Sequence, residues 1–497
     1  MNKIILLILV FGVILKLYLT SGGHFIFHMD IARDFLDVRE MIEIGKLRLT
    51  GPTSAITGLY DGPAWYYLLS VPYLLTNGNP YSAVVMMIIT WAIGGFFLLK
   101  LTSRFGTIPT IFAGLIWIGS DYLNLATSYS FHPHLITLLT PMFIYLLEQS
   151  LISPTLLNST LLWLLAGAFF NFEMNFAIFT PVIILVSGFF VNRKVFKNKS
   201  FYTGSLAFIV CLLPQIAFDF KYHHQMFQAV WNYIQSQPQA NFDPIARTTI
   251  ITQDFYSVWL PSFMNSQALT NMSLFLITCS VLYHRRFLPA LITYSLLLIA
   301  IPFIGFSLLP VSVNSWHLGG IISPLIILIA CSISQLKKVP LGRLITLTIL
   351  LATIILFVNK ASDYVTAHNQ PTPDQSTLIN EIRAIDYVYQ QAQGLDFKVY
   401  TYLPSVYDFP YQYLFWYYGR SEHGYLPTEY RYLPNKPSYV PSQSRFQKQS
   451  TQSDSHLIFL IKEPDDKQRR ELWENSFRNL SLIKSTQIGP IIIETRQ

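Results

Sequence analysis

The run HMDIARDFLDVRE, residues 28–40, sets Asp30, Arg33, Asp34, Asp37, Arg39 and Glu40 just beyond an apolar stretch that ends near Thr20. Only 12% of the chain is charged, so this crowding beside the first hydrophobic segment needs a reason. A carboxylate held at the mouth of a membrane cavity can act as a general base on an acceptor hydroxyl, provided it lies within hydrogen-bond reach. One carboxylate of this run is the candidate. A plainer assignment gives each charge an ordinary task. Asp30 precedes an amphipathic run and suits a helix N-cap. Arg33 and Asp37 have the i,i+4 spacing of a helical ion pair, and the remaining acids can face water.

Other polar residues stand near apolar runs. Glu173, in the short turn NFEMN, and Asp219 lie close to the membrane plane, where charge is costly and often functional. An Asp219–Lys221 pair kept for structural reasons would look the same, and Lys221 could equally snorkel at a helix end. His317 opens an apolar run and could be an interfacial residue. His132-Pro-His134 and the adjacent His223 and His224 raise the question of a metal. Neither pair has helical i,i+4 ligand spacing, and Cys211, Cys279 and Cys331 all fall inside apolar runs. No metal, cofactor or disulfide framework is therefore expected.

These residues need elements to position them, and composition indicates which. Of 497 residues, 52% are hydrophobic and the mean hydropathy is +0.39. Eleven apolar stretches approach bilayer-spanning length: about 4–20, 82–99, 107–123, 134–147, 158–172, 174–191, 201–217, 267–283, 288–308, 318–336 and 343–359. The first reads as a retained anchor, since YLTSGG lacks a small-x-small cleavage site. With the N-terminus in the cytoplasm, the inner loops hold twelve basic residues against one acid, Glu148. The net charge of +7 is thus a positive-inside signature and does not imply a nucleic-acid partner. The expected fold is a polytopic α-helical membrane protein of about eleven transmembrane helices, N-terminus in and C-terminus out.

Three long segments then lie outside: 21–81, 218–266 and 360–497. In the first, Ile31, Phe35, Val38, Ile42 and Gly45 share one helical face, and Asp30, Arg33, Asp34, Asp37 and Met41 the other. That pattern suits a helix in the headgroup plane. A Gly/Pro/Thr-rich loop, LTGPTSAITGLYDGP, leads to a second short helix, AWYYLLSVPYLL. The division expected is a membrane domain over 1–359 and a small extracytoplasmic α/β domain over 360–497. In the latter, Leu378, Ile382, Ile385 and Tyr389 share a helical face. Strands are expected at FKVYTYL, HLIFLIKE and GPIIIET, with a polar helix at DDKQRRELWENSFRNL. The aromatic run YDFPYQYLFWYYGR suits either the membrane interface or the domain's own core.

The run DIARD, the loop GPTSAITGLYDGP and the following WYYLL resemble the first outer loop of GT-C membrane glycosyltransferases, in the branch of protein O-mannosyltransferases and aminoarabinose transferases. YSFHPH (129–134), LPQIAFDFKYHH (213–224) and NSWHLGGIISPLIILIA (314–330) are similar to later family stretches, in order. The resemblance implies an inverting transfer from a polyprenyl-phosphate sugar to a lipid, glycan or protein hydroxyl outside the cytoplasm. It implies Asp30 as base, with Arg33, Asp34, Tyr66, Glu173, Asp219, Lys221, His223 and His317 as substrate-binding candidates and His224 beside them. Among these, Arg33 suits bidentate phosphate contact best. Ile31 stands where better-known members carry a second acid, which favours a less characterised bacterial branch. Two other readings compete, an O-antigen polymerase or ligase and a lipid-linked sugar flippase. The flippase lacks the paired repeats common in transporters.

Overall fold

A computed structural model of the chain describes residues 1–236, 243–283, 289–309, 311–434, 440–446, 457–465 and 467–497. Arg285 and Arg286, two of the twelve basic residues counted for the inner loops, lie outside the described residues. In chain order the helices are α1 (Asn2–Thr20), α2 (Met29–Glu43), α3 (Ala64–Leu75), α4 (Tyr81–Thr102), α5 (Thr107–Gly119), α6 (Asp121–Ser128), α7 (His134–Ile152), α8 (Leu156–Phe172), α9 (Met174–Ala177) and α10 (Phe179–Val191). They continue with α11 (Lys199–Lys221), α12 (Gln225–Ser236), α13 (Pro244–Ser262), α14 (Gln267–Tyr283), α15 (Ala290–Leu308), α16 (Ile322–Leu336), α17 (Gly342–His368), α18 (Leu378–Ala392) and α19 (Phe409–Leu414).

Among the described residues, eight helical segments are long and apolar enough to cross a membrane. The shorter apolar helices α5, α8 and α14 fall on three more of the stretches expected from the sequence. A helix satisfies its own backbone in lipid, so uncharged runs of this length fold this way. Packing between spans uses small residues. A Cβ on Gly167 would stand 2.7 Å from Cys211 Cβ, and one on Gly204 would stand 2.6 Å from Ser159 Cβ, so α8 and α11 lie against each other closely. The segment Ser315–Leu336 is almost wholly enclosed, whereas α1 and α17 are largely bare on their outer faces.

The C-terminal part is a five-stranded sheet in the order β2-β1-β3-β5-β4. Its strands are β1 (Lys398–Tyr402), β2 (Glu429–Arg431), β3 (Ile458–Lys462), β4 (Leu482–Ile488) and β5 (Ile491–Arg496). β2, β1 and β3 are parallel, with Val399 opposite Phe459, and β5 and β4 run antiparallel. β1, β3 and β5 are the strands that the sequence suggests. β2 and β4 have too few buried residues to show an apolar pattern. The polar helix expected after β3 spans Lys467–Glu474. Helix α17 runs on to His368, past the expected boundary at 359.

The two parts are stitched together. Ile26 and Thr377 form an antiparallel bridge, Phe27 N–H donates to Ser376 O (2.8 Å), and Leu378 N–H donates to Phe25 O (3.0 Å). Helix α19 packs on α2, with Tyr413 against Phe27 and Phe35 at ring separations of 5.9 and 5.2 Å. Buried Arg39 lies over the rings of Phe446 (3.9 Å) and Trp416 (4.8 Å). The aromatic run 407–420 therefore covers the first outer loop and contributes to a shared core, rather than resting on the membrane interface.

This covering corrects three expectations for α2. Its apolar face is buried under protein, so it is not simply an interfacial helix with one face in lipid. Its polar face is not simply wet, because Asp34 is 0% exposed and Glu40 only 5%. The N-cap is His28, one residue before Met29, so Asp30 sits within the first turn and caps nothing.

Candidate functional site

Freed from capping, the Asp30 carboxylate is fixed by two side chains. Arg33 Nη1 donates to Oδ1 at 3.1 Å, and Tyr129 OH donates to Oδ2 at 3.2 Å. Arg33 also donates from Nε and Nη2 to Asp34 Oδ1 at 3.1 and 2.9 Å. Its expected partner, Asp37, is taken instead by Arg48 (2.6 Å) and by Tyr66 OH (2.7 Å). Asp34 Oδ2 accepts from Trp65 Nε1 at 2.7 Å, which holds α3 against α2.

The loop between α2 and α3 folds back as a narrow hairpin. Gly51 N–H donates to Asp61 O (2.7 Å), Asp61 N–H donates to Pro52 O (2.9 Å), and Thr53 bridges Tyr60. Two glycines permit this. A Cβ on Gly51 would stand 2.1 Å from Gly62 O, and one on Gly62 would stand 1.9 Å from Asn171 Oδ1. Asn171 Oδ1 in turn accepts from Ala64 N–H at 3.3 Å, pinning the hairpin to the end of α8. Gly62→Ala is expected to cost about 1–3 kcal/mol through this overlap. Thermal unfolding checks this, and adding Asn171→Ala should recover part of the loss.

The hairpin delivers Asp61 to His132, whose Nε2 lies 3.3 Å from Asp61 Oδ2. His132 Nδ1 faces Asp34 Oδ2 at 3.9 Å. Glu173 Oε1 accepts from the Asn175 backbone N–H (3.0 Å) and from Asn175 Nδ2 (2.8 Å), while Oε2 lies 3.9 Å from His317 Nε2. His317 Nδ1 accepts from the Asn314 backbone N–H at 3.1 Å, so a neutral His317 carries its proton on Nε2, facing Glu173 Oε2. Burial pushes the Asp61 carboxyl up to about 7, against a backbone N–H of Met174 and the charge of Arg33. Burial, then the neighbouring Asp61, pushes Glu173 up to about 7 as well. Burial also lowers the pKa of His132.

Asp30, Arg33, Asp61, His132, Glu173 and His317 thus line one cavity of about 430 Å³. Phe131 and Trp316, edge-to-face at 5.9 Å, form part of its wall. Asp34 and Tyr66 lie under it rather than on it, as buried supports of α2 and α3. Three sequence candidates fall elsewhere. Asp219 accepts from the backbone N–H groups of Met226 (2.7 Å) and Phe227 (3.2 Å) and pairs with His224. It orders the turn into α12 and lines a separate cavity of about 250 Å³. Lys221 is exposed beside Tyr222 and is not bonded to Asp219. His223 is exposed, and its carbonyl accepts from Gln228. Asp61, His132 and Tyr129 were not among the site candidates. YDGP and YSFHPH carry them, but neither motif reveals that hairpin and helix end meet. Among the described residues, no cluster of three His, Cys, Asp or Glu side chains is arranged to hold a metal ion.

No known protein-family profile matches the sequence, and no curated protein matches it. Solved structures do match. ArnT from Cupriavidus metallidurans bound to undecaprenyl phosphate superposes with a TM-score of 0.63 at 12% identity, covering 99% of this chain and 98% of that one. Its apo state gives the same values. The Archaeoglobus fulgidus oligosaccharyltransferase, in complex with Zn and sulfate, superposes with a TM-score of 0.50 at 14% identity, over 78% of this chain and 55% of that one. The chain shares the fold of ArnT over nearly its whole length, as the resemblance of residues 21–81 implied.

Proposed function

We propose, taking that shared GT-C fold as premise, that the chain is an inverting glycosyltransferase of the cell membrane. It moves a sugar from a polyprenyl-phosphate donor to an acceptor hydroxyl on the extracytoplasmic face. The observation that carries this reading is Asp30, which lines the cavity with its carboxylate fixed by Arg33 and Tyr129. The binding of undecaprenyl phosphate by ArnT supports a donor of the same lipid class.

Asp30 accepts the hydroxyl proton as the acceptor oxygen attacks the anomeric carbon. The bond from that carbon to the phosphate oxygen breaks on the opposite face, and the lipid phosphate leaves with its electrons. Preorganised donors favour the charge that develops there. Arg33 is the cation available, and His317 Nε2–H is a neutral donor. Asp34 and Trp65 hold the Arg33 guanidinium in place.

Membranes carrying the chain, incubated with labelled polyprenyl-phosphate sugars, should consume donor and label an acceptor. Absence of consumption with every donor sugar tried would sink the reading.

Asp61 and Glu173 add a pH dependence. Each is largely neutral below about pH 7 and ionised above it. Ionised, they repel a donor phosphate, so polyprenyl-phosphate binding should weaken roughly 3–10-fold between pH 6 and pH 8. Asp61→Asn with Glu173→Gln should flatten that profile. The fold responds in the same direction. A raised acid holds its proton in the folded chain alone, so its stability contribution is present below the ordinary carboxylate range and is lost as pH rises through about 7.

A further inference from the structure

A second cavity, of about 420 Å³, lies on the other side of α6, between α1, α17 and the start of the C-terminal part. Its walls are mainly apolar, with Leu19, Leu125 and Ala367 among them. At its inner end is Lys16, whose side chain is 2% exposed although it belongs to a membrane-spanning helix. Lys16 Nζ donates to Asn124 Oδ1 (2.6 Å), to Thr127 Oγ1 (3.3 Å) and to Leu123 O (3.5 Å). Thr127 spends its own hydroxyl proton on the carbonyls of Leu123 and Asn124, so it accepts from Lys16. Three donated bonds are those of an ammonium. All three acceptors are neutral, and among the described residues no carboxylate stands within ion-pair distance of it. The wall's own acid, Asp121, is occupied by Lys360 at 3.0 Å and by Tyr364 and Asn265.

A second observation is independent of Lys16. His368 closes the other side of the cavity, its ring tilted against those of His24 (4.3 Å) and Tyr18 (4.7 Å). Its Nδ1 is buried without a hydrogen-bond partner. An ammonium whose partners are all neutral, the Trp91 ring at 4.8 Å among them, and an orphaned ring nitrogen on one cavity are both costly unless something fills the space between them.

We propose that this cavity binds the phosphate of a membrane lipid, with the anion against Lys16 and His368 and the acyl or prenyl chain along the apolar wall. A single cationic end on an apolar cleft matches an anionic amphiphile. The cavity also sits near the ends of α1 and α17, where headgroups lie. The two longer Lys16 bonds are the ones a phosphate oxygen would share. The site is distinct from the Asp30 cavity and does not depend on the transfer reaction. Helix α6 touches both sites: Lys16 holds Asn124 and Thr127, and Tyr129, which follows the last residue of the helix, donates to Asp30.

The test is lipid binding to the purified full-length chain in neutral detergent, followed by native mass spectrometry. Probes are phosphatidylglycerol, phosphatidylcholine, a short polyprenyl phosphate and inorganic phosphate. Two variants accompany the wild type. Lys16→Met removes the charge, and Ala367→Trp fills the cleft from an exposed position while leaving Lys16 intact. Retention of an anionic lipid at least tenfold over phosphatidylcholine, lost in both variants, is the expected result. Whichever of phosphatidylglycerol and polyprenyl phosphate binds more tightly identifies the lipid. Polyprenyl phosphate also enters the Asp30 cavity, so its arm is read as the second lipid bound per chain; undiminished binding of phosphatidylglycerol, or of that second polyprenyl phosphate, in either variant overturns the proposal. So does inorganic phosphate that displaces the lipid at equal concentration, because the site would then take soluble anions.

Discussion

Asp30→Asn should lower sugar transfer by about three orders of magnitude, within the range that loss of a positioned general base produces. The amide keeps the shape of the carboxylate: its oxygen can still accept from Arg33, and its NH2 can donate to the Tyr129 hydroxyl oxygen, so the variant should fold and bind donor as the wild type does. The measurement is initial rate of transfer from labelled polyprenyl-phosphate sugar, beside donor affinity in the same preparation. A rate within threefold of wild type would remove Asp30 from the reaction. A rate lost together with donor binding would instead make it a binding residue.

Loss of Arg33 should have the largest effect on stability. Its guanidinium serves Asp30 and Asp34 at once, and Asp34 is wholly enclosed. Arg33→Met leaves that carboxylate with only Trp65 as a hydrogen-bond donor. Breaking a buried ion pair from one side costs about 3–5 kcal/mol, because the remaining charge stays out of water. Thermal unfolding in detergent should show a clear fall. Adding Asp34→Asn should restore much of it, while transfer stays low in the double variant because the cation beside the cavity is still missing. If Arg33→Met melts with the wild type, the pair does not hold α2 in place.

The membrane part was legible in the sequence because a bilayer imposes one rule on every span: about 20 apolar residues with a self-satisfied backbone. Asp30, Arg33 and Glu173 could be nominated because charge beside apolar runs is unusual enough to notice, and His317 because of the family resemblance; all four share a cavity. Asp61 and His132 escaped for the opposite reason. An aspartate before Gly-Pro looks like turn chemistry, and a His-Pro pair looks like a helix start. Only the close approach of Gly62 to Asn171 shows that the two are brought face to face. The polar face of α2 misled in a similar way. Helical periodicity separates its two faces correctly, yet it cannot distinguish a face covered by water from one covered by Trp65, His132 and Arg48.

The bridge between Ile26 and Thr377 has a consequence for how the protein is made. Residues 25–27 are synthesised well before their partners at 376–378, which follow the candidate membrane spans in the chain. Contacts so distant in sequence form late. Until they do, the Phe27–Phe35 face of α2 has no α19 to cover it, and the Arg39 side chain has no rings to lie between. A nascent chain stalled after α17 would hold a complete set of membrane helices and an unfinished first loop. Such a product would be open to proteases at α2, where the C-terminal part supplies the missing cover.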